Sequence, residues 1–216
     1  MWAVLFAGIL CTIGMSGQGL PATEGLGMPV RTAPADYQSK MTVGSITIAA
    51  DFVGHAVPTD QGPLQNEDYV VMEVAFYGAD GAKLPVSWEH FSIRINEKKT
   101  PTAAQPFGLA MKSLKDPEWE PPVTEDPKSK GSVNAGGGGA GGAQAGDPKP
   151  LPPKMPFPLR RAMEQKAQKS ILPQGERGLP MAGLVFFPHR GKDEGIRALE
   201  LIYDGPAGKG MVAFER

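Results

Sequence analysis

A long stretch rich in glycine and proline constrains the fold of this chain more than any other feature. Residues 116–158 contain 8 Gly and 10 Pro in 43 positions. A glycine run cannot offset its conformational entropy by burying side chains, and the proline pieces on either side favour an extended polyproline II conformation. We therefore expect a long disordered insertion over 116–158, either within one domain or as a linker between two.

Segments typical of β-strands lie on both sides of this insertion. Alternating or continuously apolar residues occur at 41–49, 69–77, 84–88 and 91–95, and again at 182–187, 197–203 and 211–214. Residues 41–115 and 159–216 are each marginal as a separate domain. Together they supply seven or eight short strands. We predict an all-β fold, an immunoglobulin-like β-sandwich with one short helix, formed from 41–115 and 159–216; two small domains joined by a linker are the alternative.

One helix follows the insertion. Pro158 stands where a first helical residue is favoured, and Leu159, Ala162, Met163 and Ala167 recur at the spacing of one helix face. The helix is expected to pack beside or across the sandwich and to end before Pro173, because proline disfavours helical geometry in the residue before it.

The first twenty residues carry no charged side chain, and their apolar run, 2–13, is shorter than a membrane span requires. We predict a signal peptide or membrane anchor over 1–20 and a flexible linker over 21–40. Cys11 is the only cysteine of the chain, so cleavage would leave none, which suits an oxidising compartment. The expected location is extracytoplasmic, in the periplasm or secreted, or membrane-anchored if the segment is retained.

Two short motifs in the second half resemble a known family. Residues 172–176 (LPQGE) and 183–187 (GLVFF) are similar to the turn and strand of bacterial secreted immunoglobulin-like domains of the telokin-like group. Over 41–96 and 171–216 the strand pattern suits the same group. The resemblance implies a non-enzymatic extracytoplasmic β-sandwich and carries over no catalytic residue.

Few residues indicate catalysis, cofactor binding or metal binding. The three histidines, His55, His90 and His189, lack the spacing of a metal-binding or hydrolase motif, and the acids of the loop 51–68 match no calcium-binding loop. Lys and Arg (22) nearly equal Asp and Glu (23), which excludes the basic footprint of a typical nucleic-acid binder. We predict no catalytic, cofactor-binding or metal-binding residue.

Trp119 is the one candidate for a binding residue. It lies between Glu118 and Glu120 in a proline-rich stretch where no strand is predicted. Such an aromatic residue either docks back on its own domain or serves as a short binding motif, and the sequence leaves both open.

The sequence therefore predicts an exported, non-enzymatic module with a binding or structural role in the cell envelope. Its partner would be an envelope protein or a small ligand and not a nucleic acid, with membrane contact only through an uncleaved N-terminal segment. The alternatives are a hydrolase or metal-handling enzyme without a recognisable motif, and a membrane-anchored assembly subunit.

Overall fold

A computed structural model describes residues 25–120 and 154–214 of the protein. The described residues are mostly β-structure in several antiparallel sheets, with few helices. The strands in chain order are β1 (Ser39–Val43), β2 (Ile46–Gly54), β3 (Ala56–Val57), β4 (Leu64–Asn66), β5 (Tyr69–Tyr77), β6 (Lys83–Val86), β7 (Phe91–Ile95), β8 (Thr102–Ala103), β9 (Leu114–Lys115), β10 (Gly175–Gly178), β11 (Met181–Pro188), β12 (Leu199–Gly205) and β13 (Gly208–Phe214). The helices are α1 (Phe107–Ala110) and α2 (Phe157–Lys169).

Two four-stranded sheets form the body of the fold. The first has the order β1-β2-β5-β11 and the second the order β13-β12-β7-β8. Strand β5 pairs with β11 in antiparallel register from Phe76 opposite Met181 to Tyr69 opposite Pro188. Segments on both sides of residues 121–153 therefore share one sheet. Two smaller sheets, β10-β6 and β3-β4-β9, lie beside these.

The two large sheets enclose a common hydrophobic core, here called the main core. Side chains from β1, β2, β5 and β11 pack there against side chains from β7, β12 and β13. At its centre the ring of Phe76 on β5 lies 5.8 Å from that of Phe91 on β7 and 6.1 Å from that of Tyr203 on β12. Because both halves of the chain bury their apolar faces in this one core, neither half can bury its own without the other.

The strand predictions hold where the apolar pattern is strong. Strands at 69–77 and 91–95 are confirmed with the predicted bounds. The expected single strand at 41–49 is wrong, because the chain turns between β1 and β2 at Gly44, which has a φ of +57°. That left-handed conformation favours glycine, and here it makes a hairpin.

Helix α2 packs on the outer face of the first sheet and buries Met163 and Ala167. It begins at Phe157, one residue before Pro158, the predicted first helical residue. Two residues assigned to its buried face, Leu159 and Ala162, are exposed. The helix covers a second apolar cluster, here called the outer core: Val57, Leu64, Val71, Ala110, Leu114, Met163, Ala167, Leu184 and Phe186.

The predicted flexible linker at 21–40 is wrong for its described part, residues 25–40. Met28 bonds to Ala182 on β11 through its backbone, and Tyr37 is buried with Ala49 and Ala75. The N-terminal segment therefore lies against the first sheet. The predicted signal peptide or anchor at 1–20, and residues 121–153 of the predicted disordered insertion, lie outside the described residues.

Candidate functional site

A groove beside the start of helix α2 combines an apolar floor with basic side chains. It has a volume of about 530 Å³. Such a volume suits a small ligand or a few side chains of a partner. This groove, called the Trp119 groove below, is lined by Lys112, Leu114, Lys115, Asp116, Trp119, Lys154, Met155, Arg160 and Met163.

The walls of the groove come from both sides of residues 121–153. Residues 112–119 form one wall, and Lys154 and Met155 with the first turns of α2 form the other. The floor belongs to the outer core, since Leu114 and Met163 are both buried there and Met155 packs against it.

A short turn places Trp119 in the wall. The carboxylate of Asp116 accepts a hydrogen bond from the Glu118 amide at 2.9 Å, and the Trp119 amide donates to the Asp116 carbonyl at 3.2 Å. Aspartate followed by proline, as at 116 and 117, is typical of the first two residues of such a turn. Residues 116–119, expected to be disordered, are thus turned back on the domain, with the Trp119 side chain half-buried.

Asn66 attaches the same wall to the rest of the fold. Its fully buried side chain donates to the carbonyl of Ala110 at 2.7 Å and accepts from the hydroxyl of Ser113 at 2.8 Å. The same oxygen accepts from the backbone amides of Asp68 and Tyr69 at 3.2 and 3.1 Å. Strand β9, which carries Leu114 and Lys115, also pairs with β4. The wall is therefore held by a buried polar network as well as by packing.

The histidines do not converge into one site. The rings of His55 and His189 stack at 6.1 Å, while the ring of His90 lies 6.0 Å from that of Tyr203. Both ring nitrogens of His55 already bond to backbone carbonyls, of Asn66 at 2.7 Å and of Gly191 at 2.6 Å. Burial, together with the neighbouring His55 and Lys98, lowers the pKa of His189.

The acids of the loop 51–68 are also separated. Asp51 pairs with Arg31, Asp60 with Lys169, Glu67 with Lys115, and Asp68 with Arg190. Within residues 25–120 and 154–214, no group of three or more His, Cys, Asp or Glu side chains is placed to hold a metal ion.

A second and larger cavity, about 650 Å³, lies over the His55 region. Most of its charged side chains are already paired: Glu67 with Lys115, Arg190 with Asp68, and His55 near Asp193. It lacks the buried apolar floor and the aromatic wall of the Trp119 groove, which we therefore take as the candidate site.

The sequence identified Trp119 but missed the rest of its groove. Met155 and Met163 line the groove with Trp119 but follow it in the chain by 36 residues or more. Residues separated by a long insertion show no sequence pattern that would indicate their contact. Among the helices that the structure describes, none is long and apolar enough to cross a membrane. No protein-family model, curated protein or solved structure matches the chain.

Proposed function

We propose that the protein is a non-enzymatic binding module that holds a partner in the Trp119 groove. The observation that carries this proposal is the combination of a half-buried tryptophan, an apolar floor of Leu114, Met155 and Met163, and a rim of charged side chains in one cavity. Aromatic and methionine side chains that are half-exposed in a concave site are typical of recognition surfaces.

The proposal includes an immunoglobulin-like sandwich. Two antiparallel sheets that enclose one core support this assignment, as does the resemblance of residues 172–176 and 183–187 to secreted domains of that type. The strand order departs from the immunoglobulin pattern, most clearly at strand β5. Strand β5 is the third long strand of the chain and lies beside β2 in the first sheet. The third strand of an immunoglobulin domain lies in the opposite sheet.

We also propose that the module acts outside the cytoplasm, in the cell envelope or secreted. The support is the uncharged apolar segment at 1–20 and the position of the single cysteine within it. No cofactor or nucleic acid enters the proposal.

Selection of random-sequence peptides displayed on phage tests the binding function. We expect peptides enriched on the whole protein to lose binding to Trp119→Ala and to keep it with Met211→Ala. Met211 is the matched control because it is also a large apolar side chain, 54% exposed, but it lies on β13, outside the groove. Melting curves of both variants check that the fold is kept.

Two outcomes would overturn the proposal. One is that no peptide is enriched over the bare support. The other is that the enriched peptides bind Trp119→Ala as well as they bind the unmodified protein.

A further inference from the structure

The charges that line the Trp119 groove are uneven. Four are cationic and one is a carboxylate, although the whole chain is nearly neutral: Lys112, Lys115, Lys154 and Arg160 against Asp116. A cavity with low-dielectric walls concentrates the field of such charges, which favours anionic groups in the groove.

Two of the cations are already paired and two are not. Lys115 bonds to Glu67 at 2.5 Å, and Arg160 bonds to Glu164, four residues along α2, at 2.9 Å. Lys112 and Lys154 make no ion pair or hydrogen bond through their side chains with any residue that the structure describes. Within the described residues, these two ammonium groups are the cations of the groove that have no carboxylate partner.

The floor between them is apolar. Met163 is 4% exposed and Leu114 is 6% exposed, so they close the bottom of the groove, and the half-buried Met155 and Trp119 offer most of the apolar contact to a ligand. At the first turn of α2, outside the residues that line the groove, Phe157 and Leu159 are 72% and 51% exposed. Leu159 stands four residues before Met163 and so on the same face of the helix.

We propose that the Trp119 groove binds an acidic peptide segment that carries one apolar side chain. The apolar side chain would pack against Trp119 and Met155, and carboxylates on either side would pair with Lys112 and Lys154. This inference rests on the proposed function and names the chemistry of its partner.

A peptide fits the charge arrangement better than an anionic membrane surface does. The carboxylates of Glu118 and Glu120 flank Trp119 without lining the groove, and both residues are exposed. A flat anionic surface laid over the groove would have to lie against these exposed carboxylates, whereas a narrow peptide can enter the cavity without covering them.

Fluorescence anisotropy with a labelled synthetic peptide tests the inference. The probe is a short peptide of Asp and Glu with one central Leu, added to the whole protein at low and moderate salt. We expect saturable binding that Lys112→Glu and Lys154→Glu each weaken about fivefold or more, and that salt also weakens, because exposed charges are screened over about 10 Å at 0.1 M ionic strength. Lys99→Glu, an equal charge change in an exposed turn, should leave binding unchanged.

Two altered probes separate the parts of the recognition. Replacing the central Leu by Ala should weaken binding through the lost apolar contact, and replacing the acids by Lys should abolish it. Equal binding of the lysine probe, no effect of either charge reversal, or binding to phosphatidylserine vesicles but not to the acidic peptide would overturn the inference.

The two proposals fail in different ways. If library peptides bind in a Trp119-dependent manner but the acidic probe does not bind, the binding function stands and the acidic partner is wrong. If no library peptide depends on Trp119, both are wrong.

Discussion

Arg31 joins two carboxylates on the outer face of the first sheet. Its guanidinium bonds to Asp51 at 2.5 Å and to Glu73 at 3.0 Å and lies 4.1 Å from the centre of the Tyr37 ring. Glu73 is only 6% exposed. Burial raises the pKa of Glu73, and the charge of Arg31 partly offsets that effect. The N-terminal segment is thus held to the sheet by the ion pairs of Arg31 with Asp51 and Glu73.

Replacing Arg31 by Met should leave these acids close together without a cation. We expect a loss of about 2 kcal/mol in the free energy of unfolding at neutral pH, below the ~3–5 kcal/mol of a fully buried pair because Arg31 is partly exposed. The folded state binds the Glu73 proton more tightly than the unfolded state does, so its contribution to stability is present at low pH and falls as pH rises through its raised pKa. Because the charge of Arg31 lowers the pKa of Glu73, removing Arg31 raises that pKa further. Glu73 then binds its proton at mildly acidic pH, and the loss of stability in Arg31→Met should shrink there.

Urea unfolding at neutral and mildly acidic pH measures this effect. Arg190→Met is the control, because Arg190 forms an ion pair with Asp68 but its side chain is 82% exposed. It should cost at most about 1 kcal/mol. A loss for Arg31→Met that grows as the pH falls would contradict this account of the Arg31 cluster.

The sequence could not reveal this cluster. Arg31 precedes Glu73 by 42 residues, and its neighbours Thr32, Ala33 and Pro34 have no helix or strand periodicity. The sequence around an isolated charge in a loop does not indicate its partner. Composition therefore favoured a linker over 21–40, whereas tertiary contacts hold residues 25–40 against the first sheet.

At the scale of elements, Asn66 holds α1 and β9 to strand β4. Asn66→Ala would leave the backbone amides of Asp68 and Tyr69 without the side-chain oxygen that accepts from them, while the Ala110 carbonyl would keep only the Ser113 hydroxyl, at 3.2 Å. We expect a loss of about 3 kcal/mol, because each buried polar group left unsatisfied costs about 1–3 kcal/mol. Amides of residues 107–115 should then exchange with solvent faster, and peptide binding in the groove should weaken.

Hydrogen exchange and urea unfolding measure both consequences. Gln65→Ala, at the exposed neighbouring position on β4, should stay within about 0.5 kcal/mol of the unmodified protein. Unchanged exchange at 107–115 in Asn66→Ala would mean that packing alone holds the groove wall.

Strands with a strong apolar pattern were predictable, and strands without one were not. Strands β5 and β7 each have an apolar pattern strong enough to give their bounds. Strands β3, β8 and β9 have two residues each, too few to show a periodic pattern, and β9 pairs with β4, which lies far earlier in the chain. The wall of the groove depends on β9. The sequence could therefore name Trp119 as a candidate binding residue but could not predict the residues around it.

At the scale of the whole molecule, one core joins the two halves of the chain. Strands β5 and β11 are separated by more than a hundred residues but form one ladder. We expect their central amides to exchange only through global unfolding, with the same free energy and the same dependence on denaturant. Strand β10, whose four residues are mostly exposed, should open earlier. An opening of β11 at a clearly lower free energy than β5 would indicate two separately stable domains.

The central claim, that the Trp119 groove is the binding site, is tested most directly by methionine-methyl NMR. A peptide enriched from the random library is titrated into the protein, and the methyl signals of four methionines are followed. Met155 and Met163 line the groove, Met72 is fully buried in the main core and Met211 is exposed on β13. The account predicts that the signals of Met155 and Met163 move with saturation while those of Met72 and Met211 stay. Movement of Met211 with no change at Met155 and Met163 would contradict it.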